Sequence, residues 1–240
     1  MVVSAQHLAS DVGVEILKAG GNAIDAAVAV GYAEAVTNPC CGNIGGGGFM
    51  VIHLGKSGTN VFLNFRETAA AAATADMYLG PDGNPVRGAS TEGYRSVAVP
   101  GTVLGLETAL KRYGTLPRAK VMAPAITLAR EGFILTRGDT DILDFGARRM
   151  RSDPEAAHVF LHPDGSLYQP GERLVQPQKH GLRGILRIRQ VPVERAQSGH
   201  QHQPLMLLHQ LIESGHIAGT RPCNQGKCVI RVGANLRLGF

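Results

Sequence analysis

The sequence has no apolar run long enough to cross a bilayer. Its longest helical one, Ala26 to Ala33, falls well short of the roughly 20 residues a spanning helix needs. The opening stretch Met1–Ser10 carries neither a basic n-region nor an apolar h-region, so it is expected to encode no signal peptide. Cysteine is scarce. Four in 240 residues exclude a disulfide scaffold, and Cys40 and Cys41 are neighbours. Their Cα atoms sit about 3.8 Å apart across a trans peptide, below the roughly 4.4–6.8 Å usual in disulfides, so they are expected not to bond to each other. At 44% apolar and 18% charged residues, the chain is neither disordered throughout nor collagenous, and it is long enough for one large domain or two small ones.

Aspartate and tyrosine vanish beyond Gln178, where five of the nine histidines gather: His180, His200, His202, His209 and His216. Charge divides at the same place. Residues 1–178 hold 15 Lys/Arg against 17 Asp/Glu, a net −2, whereas residues 179–240 hold 9 against 2, a net +7. The overall +5 therefore invites a nucleic-acid or membrane-surface reading only for the tail. Two units are expected: 1–178, and a basic tail over 179–240.

Within the first unit, Leu8, Val12, Ile16 and Ala19 draw one apolar stripe along a helix that Gly20-Gly21 stops. Asn22 and Asp25 resemble a capping pair opening an alanine-rich helix over Ala23–Val36, whose small side chains suit close packing on a sheet. Phe49–Leu54 reads as a strand, and Gly55–Asn60 as a turn into a second strand, Val61–Phe65. Pro100-Gly101-Thr102 introduces a helix ended by Gly114, and Lys120–Glu131 gives another closed by Gly132.

The glycine cluster Gly45–Gly48 suggests a phosphate cradle. A phosphate loop, however, leads into a helix whose amides face the anion, and here a strand follows with no Gly-Lys-Ser/Thr. Glycines also permit positive φ and close backbone approach at a strand entrance, which fits a loop lining a site. Arg66 stands at the end of the second strand. A guanidinium there can fork onto the carboxylate of a small α-amino acid, and it can equally form a surface ion pair with some acid.

Five pieces occur in order: Ala19–Ala27, Gly42–Met50, Phe65-Arg66-Glu67, Pro100-Gly101-Thr102 and Pro124–Phe133. Together they resemble the N-terminal part of the γ-glutamyltranspeptidase family over about residues 1–175. The resemblance implies an α+β fold, the αββα sandwich of an N-terminal-nucleophile hydrolase, incomplete in this chain. It implies cleavage of glutathione and transfer of its γ-glutamyl group to water, amino acids or peptides. The attacking group would be the N-terminal threonine of a small segment released by self-cleavage, its own α-amine able to act as base. Arg66 matches the arginine that holds the substrate's α-carboxylate, and Glu67 is expected to support Arg66. No cofactor, metal, nucleic acid or membrane partner is expected. Location is unreadable from this chain, and the resemblance implies a periplasmic or secreted protein.

The family's small segment has no counterpart after Val175, and Thr220 stands in no matching context. No catalytic residue is therefore assigned, and the chain alone is expected to be inactive, its partner being the missing small segment. Half of a two-sheet core is also expected to leave apolar faces and strand edges bare, which favours aggregation. A shifted reading frame near Pro177-Gln178 accounts for the tail. The alternatives are a non-enzymatic amino-acid or glutathione binder, and a nucleic-acid-binding tail using Arg183, Arg187, Arg189 and Arg195 on phosphates. That tail lacks interleaved aromatics, and its histidines with Cys223 and Cys228 match no familiar metal spacing. Leu205–Ile212 is the one stretch there expected to form a helix.

Overall fold

The computed structural model describes residues 1–176, with the strands at 229–232 and 236–239. Its first two helices are α1, His7–Lys18, and α2, Ala23–Thr37. Of the stripe expected on α1, Val12 and Ile16 are buried, and the rest of the buried face is shifted to Ala9 and Gly13. Leu8 is only partly buried, and Ala19 caps the helix at the surface. Gly13 explains the offset, since a Cβ there would press on Val2 and Val30, so α1 and α2 approach closely at that point.

The capping reading of α2 holds. The Asn22 side chain accepts from the Ile24 and Asp25 amides at 2.8 and 3.0 Å, and the Asp25 carboxylate accepts from the Asn22 amide at 2.8 Å. Such a reciprocal cap contributes on the order of 1 kcal/mol. The packing expected of α2 differs: its main neighbours are helices rather than a sheet. These are α1, α3 (Thr102–Tyr113) and α4 (Arg118–Glu131). Ala26, Val28, Ala29, Tyr32, Ala33 and Val36 are buried around its circumference, making it the centre of the helical core. The Tyr32 hydroxyl donates to Glu107 on α3 at 2.9 Å, and Glu107 pairs with Arg118 on α4 at 3.5 Å, so one polar chain ties three helices. Burial first, then the charge of Glu107, pushes the Tyr32 hydroxyl pKa far up, keeping it a neutral donor.

Strands β1, Phe49–Leu54, and β2, Thr59–Asn64, form an antiparallel hairpin in which Val51 faces Phe62 and Phe49 faces Asn64. Its turn is tightened by the Ser57 and Gly58 amides on the Leu54 carbonyl, with Gly58 at φ 67°. A long irregular connection then leads to α3 and α4. Beyond lie β3 (Phe133–Ile134), α5 (Arg137–Ser152), α6 (Pro154–Phe160) and β4 (Arg173–Leu174), the last pairing antiparallel with β3. The first unit is thus a mixed helix-and-strand, α+β structure. Near its end, Gln176 donates its amide to the Ala129 carbonyl at 3.1 Å and its side chain to the Val36 carbonyl at 2.9 Å.

In the tail, β5 (Val229–Val232) and β6 (Leu236–Gly239) pair antiparallel, where no strand was expected from the sequence. The helix expected at Leu205–Ile212, the tail arginines proposed for phosphate contact, and the histidines and cysteines weighed for metal lie outside the described residues, as does the junction at Gln178.

Candidate functional site

Arg66 follows directly on the hairpin. Phe65 extends the pairing by one residue, its amide donating to the Gly48 carbonyl at 3.0 Å and its carbonyl accepting from the Gly48 amide at 3.3 Å. The chain then turns, and the Arg66 amide donates to the Asn64 side chain at 3.0 Å. Thr68 bridges Val99 through amide–carbonyl bonds of 3.2 and 2.9 Å. The three residues Phe65-Arg66-Glu67 are therefore pinned on both sides by backbone.

The Arg66 side chain is 63% exposed, and its one ion pair among the described residues is with Glu67, Nε to Oε1 at 3.4 Å. That contact engages the near edge of the guanidinium. The exposed far edge keeps the two-donor geometry that a carboxylate accepts. An ion pair so open to water stabilises the fold little, so Glu67 orients Arg66 more than it neutralises it. The Glu67 carboxyl pKa is lowered, by its own amide first and then by Arg66 against a partial desolvation. Its other oxygen, Oε2, is shut from solvent with no hydrogen-bond partner among the described residues. The surrounding backbone holds it there.

The glycine loop supplies that backbone. None of Gly45–Gly48 has positive φ, so conformational freedom is not what places glycine here. Close approach is. A Cβ on Gly47 would overlap Glu67 Oε2 and the Glu67 amide nitrogen, and one on Gly101 would overlap the Phe65 carbonyl. Gly46 closes the loop by accepting from the Gly101 and Thr102 amides at 2.7 and 3.0 Å. The loop opens into strand β1 and packs closely over the Glu67 side chain.

Cys40 and Cys41 correct the expectation made for them: they are bonded to each other, with Cα atoms 3.8 Å apart. The Asn38 carbonyl accepts from the Cys41 amide at 3.2 Å and the Gly42 amide at 2.8 Å, a tight turn that swings the two side chains together. The bond thus closes at the trans-peptide spacing of neighbours, below the usual Cα range. Both residues are exposed, at the C-terminal end of α2 and just ahead of the glycine loop.

The profile described as Gamma-glutamyltranspeptidase matches residues 9–181. The chain belongs to the γ-glutamyltranspeptidase family. It is 57% identical over 176 residues to the glutathione hydrolase proenzyme of Pseudomonas sp. (strain A14), covering 73% of this chain and 30% of that relative. Among solved structures it is similar to Helicobacter pylori γ-glutamyltranspeptidase, with TM-score 0.72 and 37% identity over 90% of this chain and 54% of the other. It is also similar to the Pseudomonas nitroreducens enzyme complexed with L-DON, with TM-score 0.67 and 32% identity over 89% and 54%. The chain thus spans about a third of the length of the curated relatives it matches. No helix among the described residues is long and apolar enough to cross a membrane.

Proposed function

We propose that this chain carries the α-carboxylate anchor of a γ-glutamyltranspeptidase, and that glutathione and related γ-glutamyl compounds are the substrates. The observation that carries the reading is the open edge of the Arg66 guanidinium, held at the end of a backbone-pinned strand by Glu67. In the reaction, a threonine hydroxyl oxygen would attack the γ-glutamyl carbonyl carbon, and the leaving amine would depart with a proton. The resulting ester would then pass the acyl group to water or to an acceptor amine. Arg66 touches none of the reacting atoms. Its part is to hold the far end of the glutamyl group so that the carbonyl meets the nucleophile.

That threonine belongs to the small segment, which we assign as this chain's partner; the chain alone is then inactive. The fold it would complete is the αββα sandwich. The outward face of the β1–β2 hairpin supports such a cover, with Phe49, Val51 and Phe62 exposed at 54, 74 and 61% and the two phenyl rings stacked at 5.7 Å. Apolar side chains so grouped are ordinarily covered. A periplasmic or secreted location goes with this assignment. We attribute the tail over 179–240 to a shift of reading frame, supported by the family match ending at residue 181, beside the change of composition.

The test joins residues 1–176 to the remainder of the strain A14 proenzyme and follows 4-nitroaniline release from γ-glutamyl 4-nitroanilide. Activity in the fusion, its loss in Arg66→Ala and silence of the 240-residue chain alone are expected. Turnover by the chain alone would overturn the assignment of the nucleophile. A fully active Arg66→Ala fusion would overturn the anchor.

A further inference from the structure

We infer that Gly47 is a positioning residue for Arg66, acting through Glu67, with Gly101 and Gly105 bracing the same turn from behind. The inference rests on the anchor reading above for its meaning in catalysis, though its geometry stands separately. Three approaches from two parts of the sequence, the glycine loop and the start of α3, converge on Phe65-Arg66-Glu67. Gly47 packs its Cα against the Glu67 carboxylate and amide. Gly101 lies against the Phe65 carbonyl, and Gly105 against the Phe65 ring. Gly105 sits inside helix α3, where glycine is a poor choice unless something must come close. The ring of Phe65 is that something. Phe65 is thereby clamped between the loop and α3, and Glu67 is trapped with one oxygen under Gly47 and the other on Arg66.

The loop contains its own controls. A Cβ at Gly45 would meet nothing within 4 Å, whereas one at Gly48 would sit 3.0 Å from the Phe65 ring edge and one at Gly47 would strike backbone. Three alanine substitutions within four residues are therefore expected to differ in order: Gly45→Ala harmless, Gly48→Ala intermediate, Gly47→Ala most disruptive to Arg66. A loop needed merely for flexibility would predict no such order.

The experiment measures phenylglyoxal modification of Arg66 in the full chain, by peptide mass mapping. The guanidine nitrogens add to the carbonyl carbons of the dicarbonyl, so a carboxylate held against one edge of Arg66 hinders the reaction and its release speeds it. Arg130, paired with Glu131 at 2.6 Å on α4, is the internal standard, and circular dichroism on the same samples reports global folding. Relative to Arg130, the Arg66 rate is expected to rise about three-fold in Gly47→Ala, matching Glu67→Ala, consistent with loss of one exposed pair. Gly48→Ala should fall between, and Gly45→Ala should equal the unmodified chain. Equal rates across the three glycine variants would overturn the inference. Should Gly47→Ala unfold the chain, the comparison of Gly48→Ala with Gly45→Ala decides alone: a faster Arg66 in the first supports it and no difference overturns it. No substrate enters this assay, so the anchor role of Arg66, read from the activity of the fusion, can fail or stand independently.

Discussion

Asp25 accepts both the amide and the hydroxyl of Thr115, at 2.9 and 2.6 Å, across 90 residues of chain. The same carboxylate also takes the Leu116 amide at 3.1 Å and the Asn22 amide at 2.8 Å. A wholly buried side chain thus caps the start of α2 while fastening the connection between α3 and α4. Burial raises the Asp25 pKa, but the Thr115 hydroxyl and the Asn22, Leu116 and Thr115 amides together outweigh it and hold it below the ordinary carboxylate range.

Loss of this carboxylate should destabilise the first unit. Asp25→Ala leaves several donors buried without an acceptor, an effect on the order of 3 kcal/mol, read from urea unfolding. Because the pKa is lowered in the folded state, the stabilisation is complete above the unfolded value of about 4 and is lost as pH falls through the folded value. Asp25→Asn should therefore be less stable at neutral pH and flatten the acid limb of stability against pH. An unchanged acid limb would remove Asp25 from this role.

Arg66→Lys separates charge from geometry. Lysine keeps the positive charge but cannot offer two parallel N–H donors, so KM for the γ-glutamyl anilide should rise in the fusion enzyme while kcat changes less. Arg66→Ala should cost about a hundred-fold in kcat/KM, roughly 3 kcal/mol, the scale of a charge-assisted bidentate contact. A fall confined to kcat would place Arg66 at the reacting atoms instead.

Much of this was legible in the sequence where the signal is local. Asn22 with Asp25 announces a cap by spacing alone, and the structure adds only that Asp25 serves a second end, at Thr115. Helix α5 is hard to read in the sequence because just Thr140, Leu143 and Ala147 are buried along it, too few to mark a stripe, although Thr136 and Asp139 form the same reciprocal cap as at α2. The glycine loop is legible in the sequence as close packing at a strand entrance. Its partners are not, since Gly101 and Gly105 reach Phe65 only through the fold, and no spacing in the chain encodes that meeting. The Cys40–Cys41 bond is not legible in the sequence, because the spacing of neighbours lies below the usual Cα range and only the local turn brings the side chains together.

The Cys40–Cys41 bond should be reducible without loss of structure. Both residues are exposed, and closing so short a ring restricts the unfolded chain little, so Cys40→Ser with Cys41→Ser should change stability by about 1 kcal/mol or less. Iodoacetamide should label the peptide containing both residues only after reductant is added. Full labelling of the untreated chain would show the pair to be open.

The hairpin face offers the last prediction, because solubility and assembly should move in opposite directions there. Phe49, Val51 and Phe62 alternate along β1 and β2 onto one exposed side, while Ile52 on the other side is buried. Their burial by a covering segment would contribute roughly 1.5–3 kcal/mol for each large side chain fully removed from water. Left bare, the same atoms favour self-association. Val51→Lys or Phe62→Lys should therefore lower light scattering of the 240-residue chain, and should abolish activity when placed in the fusion enzyme, where the face would have to be buried around a charge. Gain of solubility with full activity in the fusion would show that nothing covers this face. The hairpin would then be a surface element, and the partner assigned to it would have to dock elsewhere.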